Sequence, residues 1–567
     1  MQPRRGVILV VVLVVIVLLT LSVYTFSRFM LAQRRATETT VRQTQVRLLT
    51  ESGIDYLRAM LFYYDQYMLL ELGGLYDNPD YFCGHIVTDG SIAITGLATG
   101  TQNAFGTYEP RHVGRFSVVA PTLSDDGMLL GEFVRFGLED ESAKVNLRWI
   151  LQTDIQQPGN GRAILMRLPG VNEEIADAIL DWIDDSSYEP REYGAKDEYY
   201  TMLDPPYYCR NGMIDSLDEL LNVRGVTAKL LYGNDWNRNG TIDYGEPGEY
   251  EMEEYEATDG SLNLGLIAYL TLDSRETMLR PYSTPEETYY KINVNMEDTA
   301  ELQTLLDELP DIDDRWDPSW SSYIISYRQQ ANQTAQNPSD ASLGGIVSSL
   351  LGTGGTALAS NSDGTVKSLM DLIGGQGSPF PDDIDEMLVY LPVLYDNLMT
   401  SDTPVVGRIN INQAPRMVLE LLGAQEDELS ETVALFTESM DAVQGTSLSQ
   451  LDVWEMIDRI IAERISNPVE MLDVPEMNYP FWPYVNGIVP DLATMQMLEP
   501  YFCTQGAVFK ATVVGRFDDT RSPVSRMEVW LDSSEGGALP KIIRIRDISE
   551  LGPGYNAEVL GADEFAR

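Results

Sequence analysis

The most constraining feature of this chain is an apolar run close to its N-terminus. From Val7 to Phe26 the sequence holds 20 consecutive residues without a charge, most of them Val, Leu and Ile. A helix of about 20 residues rises roughly 30 Å, which is the thickness of the hydrocarbon core of a bilayer. Arg4 and Arg5 precede the run, and positive charge favours the cytoplasmic side of a membrane. The run therefore predicts a helix that crosses a membrane once, with its N-terminus in the cytoplasm.

Three interpretations of this segment remain open. A cleaved secretory signal normally has a shorter apolar core followed by small residues, whereas arginines follow this one. An uncleaved signal anchor accounts for the length and the flanking charges. The third interpretation rests on Arg4-Arg5-Gly6, a short basic leader that ends in glycine, as in leaders that a prepilin-type peptidase cuts on the cytoplasmic side. That cut would fall between Gly6 and Val7.

Charge is distributed unevenly along the chain. The 567 residues include 39 Lys and Arg against 87 Asp and Glu, a formal net charge of −48. Because the first 35 residues contain five arginines and no acid, the rest carries −53. Nucleic-acid binding depends on clustered Lys and Arg, so this balance argues against a phosphate backbone as the main partner. It suits a solvated surface or one that binds hard cations.

Few residues are available for catalysis. Neither of the two histidines, His85 and His112, lies in a nucleophile-elbow motif, and no glycine loop is followed by the Lys-Ser/Thr of a phosphate site. Three cysteines allow one disulfide at most. We therefore expect a protein without enzymatic activity.

The spacing of apolar residues separates helical from strand-rich regions. A helix without proline continues from Ser27 to about Leu72, with an apolar stripe that needs a partner surface; the stripe contains Val46, Leu49, Gly53, Tyr56, Met60, Tyr63 and Tyr67. Strands are expected at 115–120, 128–137, 144–149, 507–515, 525–531 and 541–546. Helical periodicity fills 161–232 and returns at 298–309, 320–330, 383–398, 414–422, 427–443 and 448–465. The pattern predicts an α+β head whose sheet is split by a large, mostly α-helical insertion.

The expected boundaries follow the changes in composition. In chain order they are a leader (1–6), the membrane helix (7–26), the amphipathic helix with the first part of the head (27–150), an inserted helical domain (151–330), a Gly/Ser-rich linker (331–379), a second helical part (380–500) and the C-terminal strands that complete the head (501–567). The linker is predicted from its Gly, Ser, Ala, Asn and Thr content.

The most specific local motif is the acidic loop from Asp235 to Glu246. An EF-hand-type loop places oxygen ligands at positions 1, 3, 5, 7, 9 and 12 and a glycine at position 6. Counted from Asp235, the glycine is Gly240 and the ligands are Asp235, Asn237, Asn239, the Thr241 carbonyl, Asp243 and Glu246. Six oxygens at flexible distances suit Ca²⁺, whereas Mg²⁺ demands a stricter octahedron. The motif predicts one Ca²⁺ site; the alternative is an acidic turn without a metal.

Two further segments are similar to helix-hairpin-helix turns. They are Leu168-Pro-Gly170-Val171 and Val223-Arg-Gly225-Val226, in which glycine lets two short helices approach closely. Such units often bind DNA phosphates, but acids crowd the first copy and would repel a phosphate; they are Glu173, Glu174, Asp177, Asp181, Asp184 and Asp185. We expect both turns to be structural or to contact protein.

A short pattern of a basic, an aliphatic, an Asn and an aliphatic residue occurs three times. The copies begin at Lys144, Lys291 and Arg408 and place their asparagines at 146, 293 and 410. A short strand whose terminal Asn caps the next helix explains the pattern.

Together these motifs resemble the minor pseudopilin K of type II secretion systems, also called general secretion pathway protein K. The resemblance includes the Arg-Arg-Gly leader with its apolar run and is most specific in Asp181-Trp-Ile-Asp184 and Gly194-Ala-Lys-Asp-Glu-Tyr-Tyr200. Further matches are Asp140-Glu-Ser-Ala-Lys-Val-Asn146, Asn211, Ser216-Leu-Asp-Glu-Leu220 and Arg408-Ile-Asn-Ile-Asn412-Gln-Ala-Pro415. Lys196 departs from the family pattern, in which an acid is usual.

The resemblance implies a pilin-like fold, with a long N-terminal helix packed on a small antiparallel sheet and a large inserted α-helical domain. It implies Ca²⁺ binding, no catalytic activity, and cleavage and methylation at Val7 by the prepilin peptidase. It also implies a single-pass inner-membrane protein whose periplasmic head joins other minor pseudopilins at the tip of a pseudopilus.

One departure from the general pilin pattern supports a place at the tip. Most pilins carry Glu at the fifth mature position, where it neutralises the N-terminal amine of a neighbouring subunit; here that position is Val11. An unpaired carboxylate in a membrane is costly, so a subunit with nothing above it should lack one. Two other functions remain open: a pilus-associated adhesin or uptake subunit, and a membrane-anchored DNA-binding protein that uses the hairpins.

Overall fold

A single long helix begins the chain. The computed structural model describes residues 5–63, 69, 72–88, 91–93, 113–123, 129–236, 238, 265–336, 365–374, 377–421, 453–466, 475–518, 523–552, 554–555 and 560. Helix α1 spans Arg5–Tyr63. Its N-terminal half is exposed, whereas Val46, Leu49, Leu57 and Met60 of its second half are buried. The predicted stripe is wrong at its end, because the Tyr63 side chain is 65% exposed.

The second half of α1 packs on an antiparallel sheet whose strands differ in length. The strands are β1 (His85–Thr88), β2 (Ser91–Ala93), β3 (Gly114–Leu123), β4 (Leu129–Arg135), β5 (Glu139–Asp140), β12 (Val508–Phe517), β13 (Ser525–Asp532) and β14 (Lys541–Asp547). Their order is β14-β13-β12-β3-β1-β2, with β4 paired to β3 and β5 paired to β12. Strand β12 therefore pairs with two strands that precede it by several hundred residues. The helical region thus lies, along the chain, between strands of one sheet, and the predicted α+β class is confirmed.

Successive side chains of a strand point to opposite faces of the sheet, and the two faces have different contacts. Phe509, Ala511 and Val513 of β12 pack with Ile54 and other residues of α1 in one apolar cluster. The opposite face carries charged residues. Lys510 pairs with Glu139 of the neighbouring strand β5 (3.1 Å), whereas Arg544 and Arg546 of β14 bind the insertion through Asp273 (3.0 Å) and Asp218. The sheet thus lies between an apolar helix contact and a polar contact with the insertion.

The insertion is built from short helices around one apolar core. They are α3 (Leu147–Gln156), α4 (Asn160–Leu165), α5 (Glu173–Ile183), α6 (Asp197–Tyr200), α7 (Ala228–Tyr232), α8 (Thr299–Asp307), α9 (Leu309–Ile312), α10 (Pro318–Gln336), α11 (Ile384–Asn397), α12 (Arg416–Glu420), α13 (Val453–Ser466), α14 (Trp482–Val485) and α15 (Leu492–Leu498), preceded in the head by α2 (Pro79–Phe82). Buried residues from Val145 to Phe502 form one contiguous cluster. The helices predicted at 298–309, 320–330, 383–398, 414–422 and 448–465 are confirmed with boundary shifts, and 427–443 lies outside the described residues.

Three pairs of two-residue parallel strands divide the insertion into three units. In unit one β6 (Val145–Asn146) pairs with β7 (Leu270–Thr271), in unit two β8 (Ile292–Asn293) with β9 (Leu398–Met399), and in unit three β10 (Ile409–Asn410) with β11 (Phe502–Cys503). Each first strand is one copy of the repeated basic–aliphatic–Asn pattern. The strand predicted over 144–149 is too long, because the Asn146 side chain accepts the Arg148 N–H and starts α3 at Leu147.

The Gly/Ser-rich segment is narrower than its composition suggests. Helix α10 continues to Gln336, and the 3-10 turn Leu369–Leu372 buries Leu369, Met370 and Leu372 in the core. The predicted linker over 331–379 is therefore wrong at both ends, because α10 occupies 331–336 and Leu369, Met370 and Leu372 pack in the core. Residues 337–364 lie outside the described chain.

Candidate functional site

The N-terminal part of α1 is long and apolar enough to cross a membrane. A window of this helix reaches a mean hydropathy of 2.9, and none of that window is buried. Gly6 and Val7 lie in the first turns of its backbone. Val11 is exposed within the apolar part, and the first carboxylate along the chain is Glu38. The helix fits a single-pass anchor.

The two predicted hairpin turns pack against each other in unit one. Gly170 follows α4, and Gly225 follows the 3-10 turn Leu217–Asn222; their φ angles are +74° and +82°, which glycine adopts without strain. A Cβ on Gly170 would lie 2.9 Å from Cδ1 of Leu230, and one on Gly225 would lie 2.8 Å from Cγ1 of Ile175. Ile175 and Leu230 each stand five residues after their own turn glycine. The two hairpins therefore contact each other through equivalent residues.

Beside these turns, Arg191 binds three carboxylates. Its guanidinium lies 2.8 Å from Asp154, 2.8 Å from Asp181 and 3.0 Å from Asp184, all with buried side chains. Burial raises the pKa of Asp181, although hydrogen bonds and charge from Arg191 oppose this. Because a buried carboxylate is costly without a partner, the arginine is what allows three of them to approach. The arrangement is a buried ion network of one arginine and three carboxylates.

The rest of the specific sequence motif surrounds the same network. Lys196 Nζ donates to the Asp184 carbonyl (2.8 Å) and to Asn211 Oδ1 (2.9 Å). Trp182 Nε1 donates to Glu219 (3.2 Å), and its ring packs edge-on against Tyr200 at 5.0 Å. Segments that are separate along the chain thus meet in one cluster, with Lys196 as an integral member.

Two arginines beside the turns are engaged with carboxylates. Arg162 pairs with Asp177 at 2.7 Å, and Arg224 pairs with Glu174 at 3.0 Å. A phosphate at these turns would have to displace those carboxylates and would meet the neighbouring acids. This geometry favours a structural role for the hairpins over a nucleic-acid interface.

Of the two histidines, His85 belongs to the core of the head. It is fully buried and its ring stacks on Phe116 at 5.2 Å between centroids. His112 lies outside the described residues.

The predicted metal loop begins against the sheet. Asp235 is buried, and Arg238 reaches Glu528 of β13 at 2.7 Å, with its own φ at +57° in the left-handed region. The other five predicted ligands, Asn237, Asn239, Thr241, Asp243 and Glu246, lie outside the described residues. The oxygen-only donor set suits Ca²⁺. In the described part of the chain no group of three or more acids, histidines or cysteines could hold a metal.

The fold is thus an α+β head with a helical insertion, joined to one apolar helix that fits a single-pass membrane anchor. A family model described as "Type II secretion system (T2SS), protein K" matches residues 143–232, from the start of unit one to the end of α7. A curated relative, Type II secretion system protein K of Aeromonas hydrophila, is 44% identical over 72 residues, which cover 12% of this chain and 22% of that protein. No solved structure matches the chain significantly.

The 143–232 segment therefore matches the type II secretion system protein K family, which confirms the resemblance drawn from the sequence. This segment contains the Arg191 network and both hairpin turns.

Proposed function

We propose that this protein is a non-enzymatic minor pseudopilin that forms or caps the tip of a type II secretion pseudopilus and helps to initiate its assembly. Its partners would be other minor pseudopilins, with the head in the periplasm and α1 in the inner membrane. The proposal rests on the family match of 143–232 and on the properties of α1.

The observation that carries the proposal is an anchor without a carboxylate. Up to Glu38 the chain has no acid, and the residue at the fifth position after the proposed cleavage is Val11. A subunit inside a filament can use a buried carboxylate to pair with the N-terminal amine of its neighbour, whereas a terminal subunit has no such partner. Since an unpaired charge in a membrane is costly, its absence supports a terminal position.

Mass spectrometry of the mature N-terminus tests this proposal. A chain that begins at a methylated Val7 is the expected result, together with co-purification of other minor pseudopilins from membranes. A chain that still begins at Met1 would refute processing by a prepilin peptidase. Recovery of the protein along long extracellular pili would favour the adhesin or uptake subunit instead.

We further propose that Asp235 to Glu246 binds Ca²⁺ as a structural ion. The oxygen donor set and the sheet contact of Arg238 support this. The protein should melt at a lower temperature in chelator than in excess Ca²⁺, and re-addition should reverse the change, because an ion that binds only the folded state stabilises it. Glu246→Ala should abolish the difference. Equal melting temperatures in both conditions would refute the site.

A further inference from the structure

A cleft of about 200 Å³ lies where the head meets units two and three of the insertion. One wall is the hairpin that connects unit one to unit two, in which Leu279 and Tyr290 form an antiparallel bridge. Within it Arg280 N–H donates to the Tyr289 carbonyl (2.9 Å), and Lys291 N–H donates to the Met278 carbonyl (2.8 Å). Residues that stand opposite each other, or two apart, share one face of a strand pair. Arg280 and Lys291 therefore lie on the same face, and both line the cleft.

Neither of these two cations has a carboxylate partner in the described chain. Arg280 is 5% exposed, and its Nε and Nη1 donate to the Tyr290 carbonyl (3.0 Å) and the Tyr282 hydroxyl (3.4 Å), which are neutral acceptors. Lys291 Nζ makes no hydrogen bond or ion pair among the described residues, although the chain has 87 acids. Burial lowers the pKa of Lys291, against the opposing charges of Glu276 and Asp396.

The equivalent residues of the other two units are paired. Lys144 of unit one binds Glu139 (3.3 Å) and Glu141 (2.9 Å). Arg408 of unit three lies 3.2 Å from Glu276 and 3.8 Å from Glu499. The basic residue of the repeat thus forms ion pairs with two carboxylates in units one and three, and with none of the described carboxylates in unit two.

Three of the four acids that line the cleft are engaged by other cations, and the fourth, Glu535, is exposed to solvent. Glu276 and Glu499 serve Arg408, and Asp396 lies 2.9 Å from Arg315. A partly buried cation without a counter-ion is costly, and guanidinium and ammonium groups bind carboxylates through short charge-assisted hydrogen bonds. An incoming carboxylate would give the basic residue of unit two the partner that its equivalents have.

We propose that this cleft binds a carboxylate ligand between the Lys291 ammonium and the Arg280 guanidinium. Its volume of about 200 Å³ is below the roughly 300–1,000 Å³ of pockets for drug-sized molecules. The ligand is therefore a small dicarboxylate or the acidic side chain of an inserted protein segment. The proposal is independent of the position of the protein in a pseudopilus.

Calorimetric titration of the full chain in detergent tests the site with two probes, succinate and an acetylated tetra-aspartate peptide. At least one probe should bind, and Lys291→Gln or Arg280→Gln should weaken that binding about tenfold or more, equivalent to ~1.4 kcal/mol. Lys291→Arg retains the charge and should bind within about threefold of the unchanged protein. The matched control Lys367→Gln removes an exposed lysine outside the cleft and should not alter the affinity.

A second measurement uses the unsubstituted protein, so that it does not depend on whether the variants fold. The bound probe should shield Lys291 from reductive methylation, detected by mass spectrometry, while Lys367 reacts as before. Lys291-dependent binding of succinate identifies a free dicarboxylate as the ligand, and binding of the peptide alone identifies a carboxylate of a protein segment. The proposal is overturned if neither probe binds, or if Lys291→Gln binds both as tightly as the unchanged protein.

Discussion

Units one and three of the insertion start with the same motif, but the asparagine side chain of the motif donates to different acceptors in the two units. In unit one Asn146 Nδ2 donates to the hydroxyl of Ser274, which lies just beyond the partner strand of the same unit. In unit three the corresponding position is Gly506, which has no side chain, and Asn410 Nδ2 donates instead to Asp140 of the head (2.8 Å). Asp140 also accepts the Gly506 N–H (2.7 Å). In unit one the acceptor for the asparagine side chain belongs to the same unit. In unit three the acceptor belongs to β5, the strand through which the chain enters the insertion.

This difference explains how the insertion is fixed to the head. Asp140 precedes the first unit and Gly506 follows the third, so one carboxylate ties the entry of the insertion to its exit. A Cβ on Gly506 would lie 2.4 Å from Asp140 Oδ1 and 2.3 Å from Ser142 Oγ, so the carboxylate occupies the space of the missing side chain. We infer that the junction at Asp140 contributes more to stability than the equivalent contacts of the other units.

Removal of the Asp140 carboxylate should have the largest effect. Asp140→Ala leaves three buried donors without an acceptor, the N–H groups of Ser142 and Gly506 and the Asn410 amide. At about 1–3 kcal/mol for each unsatisfied group, with incomplete additivity, the free energy of unfolding should fall by roughly 4 kcal/mol. Denaturant unfolding of the detergent-solubilised chain measures it.

Asp402→Ala is the matched control for that substitution. Asp402 accepts the Asn293 amide in unit two but is exposed, so water can replace it. The expected loss is below about 1 kcal/mol. Equal losses of unfolding free energy in the two variants would show that the junction at Asp140 stabilises the protein no more than an exposed contact does.

Gly506→Ala should have the next largest effect. The added methyl group would require Asp140 and Ser142 to move, at the expense of their buried hydrogen bonds, for a loss of about 3 kcal/mol. Gly212 is the matched control, because a Cβ there would come no closer than 4.0 Å to any neighbour. A Gly506→Ala chain as stable as Gly212→Ala would contradict the close approach at the junction.

The repeated motif shows how far the sequence predicts this architecture. The motif predicts an Asn that caps a helix, and each Asn accepts the N–H two residues further on: Asn146 from Arg148, Asn293 from Asn295 and Asn410 from Asn412. Of the three, only Asn146 directly precedes a helix. The sequence does not predict the partner strands, because a strand of two residues has no measurable periodicity and its partner lies far along the chain. The turn chemistry is local, whereas the pairing depends on tertiary packing.

The acids of the hairpin segment show a second limit. Their abundance indicates a solvated surface, an interpretation that holds for the exposed Asp185 but is wrong for the buried Asp184. The spacing of the acids could not reveal that Arg191 would enter between Asp154, Asp181 and Asp184. A lone arginine that follows several buried-helix acids is a signal for such a network, but only the fold brings the groups together.

Glu139, the neighbour of Asp140, makes the junction dependent on pH. Burial acts to raise its pKa, but Lys510, Lys144 and Arg135 outweigh this and hold the pKa at about 2, below the ordinary 4.5. A lowered pKa contributes stability that is complete above the unfolded value and is lost as the pH falls towards the folded value. Glu139→Gln should therefore destabilise the protein by about 2–3 kcal/mol at pH 7.

The difference between Glu139→Gln and the unchanged protein should shrink as the pH falls from about 4.5 towards 2. Unfolding curves at a series of pH values measure it. Glu286→Gln replaces an exposed acid that forms no ion pair with a described residue, and it should give a difference near zero at every pH. A Glu139→Gln difference that does not change with pH would refute the ion pairing at the junction.

Substitution of the three repeat asparagines should have the smallest effects on stability and compares the units most directly. Asn410→Ala removes a donor to a buried carboxylate, Asn146→Ala removes a donor to a buried hydroxyl, and Asn293→Ala removes a donor to an exposed carboxylate. Each variant also loses a capped N–H, so the expected losses are about 2, 1.5 and 1 kcal/mol in that order. Because the three substitutions are chemically identical, their differences report the acceptor that each unit supplies, together with the helix cap that only Asn146 provides. If Asn293→Ala proved as costly as Asn410→Ala, the caps alone would account for the motif, and closure by Asp140 would add nothing to the stability of unit three.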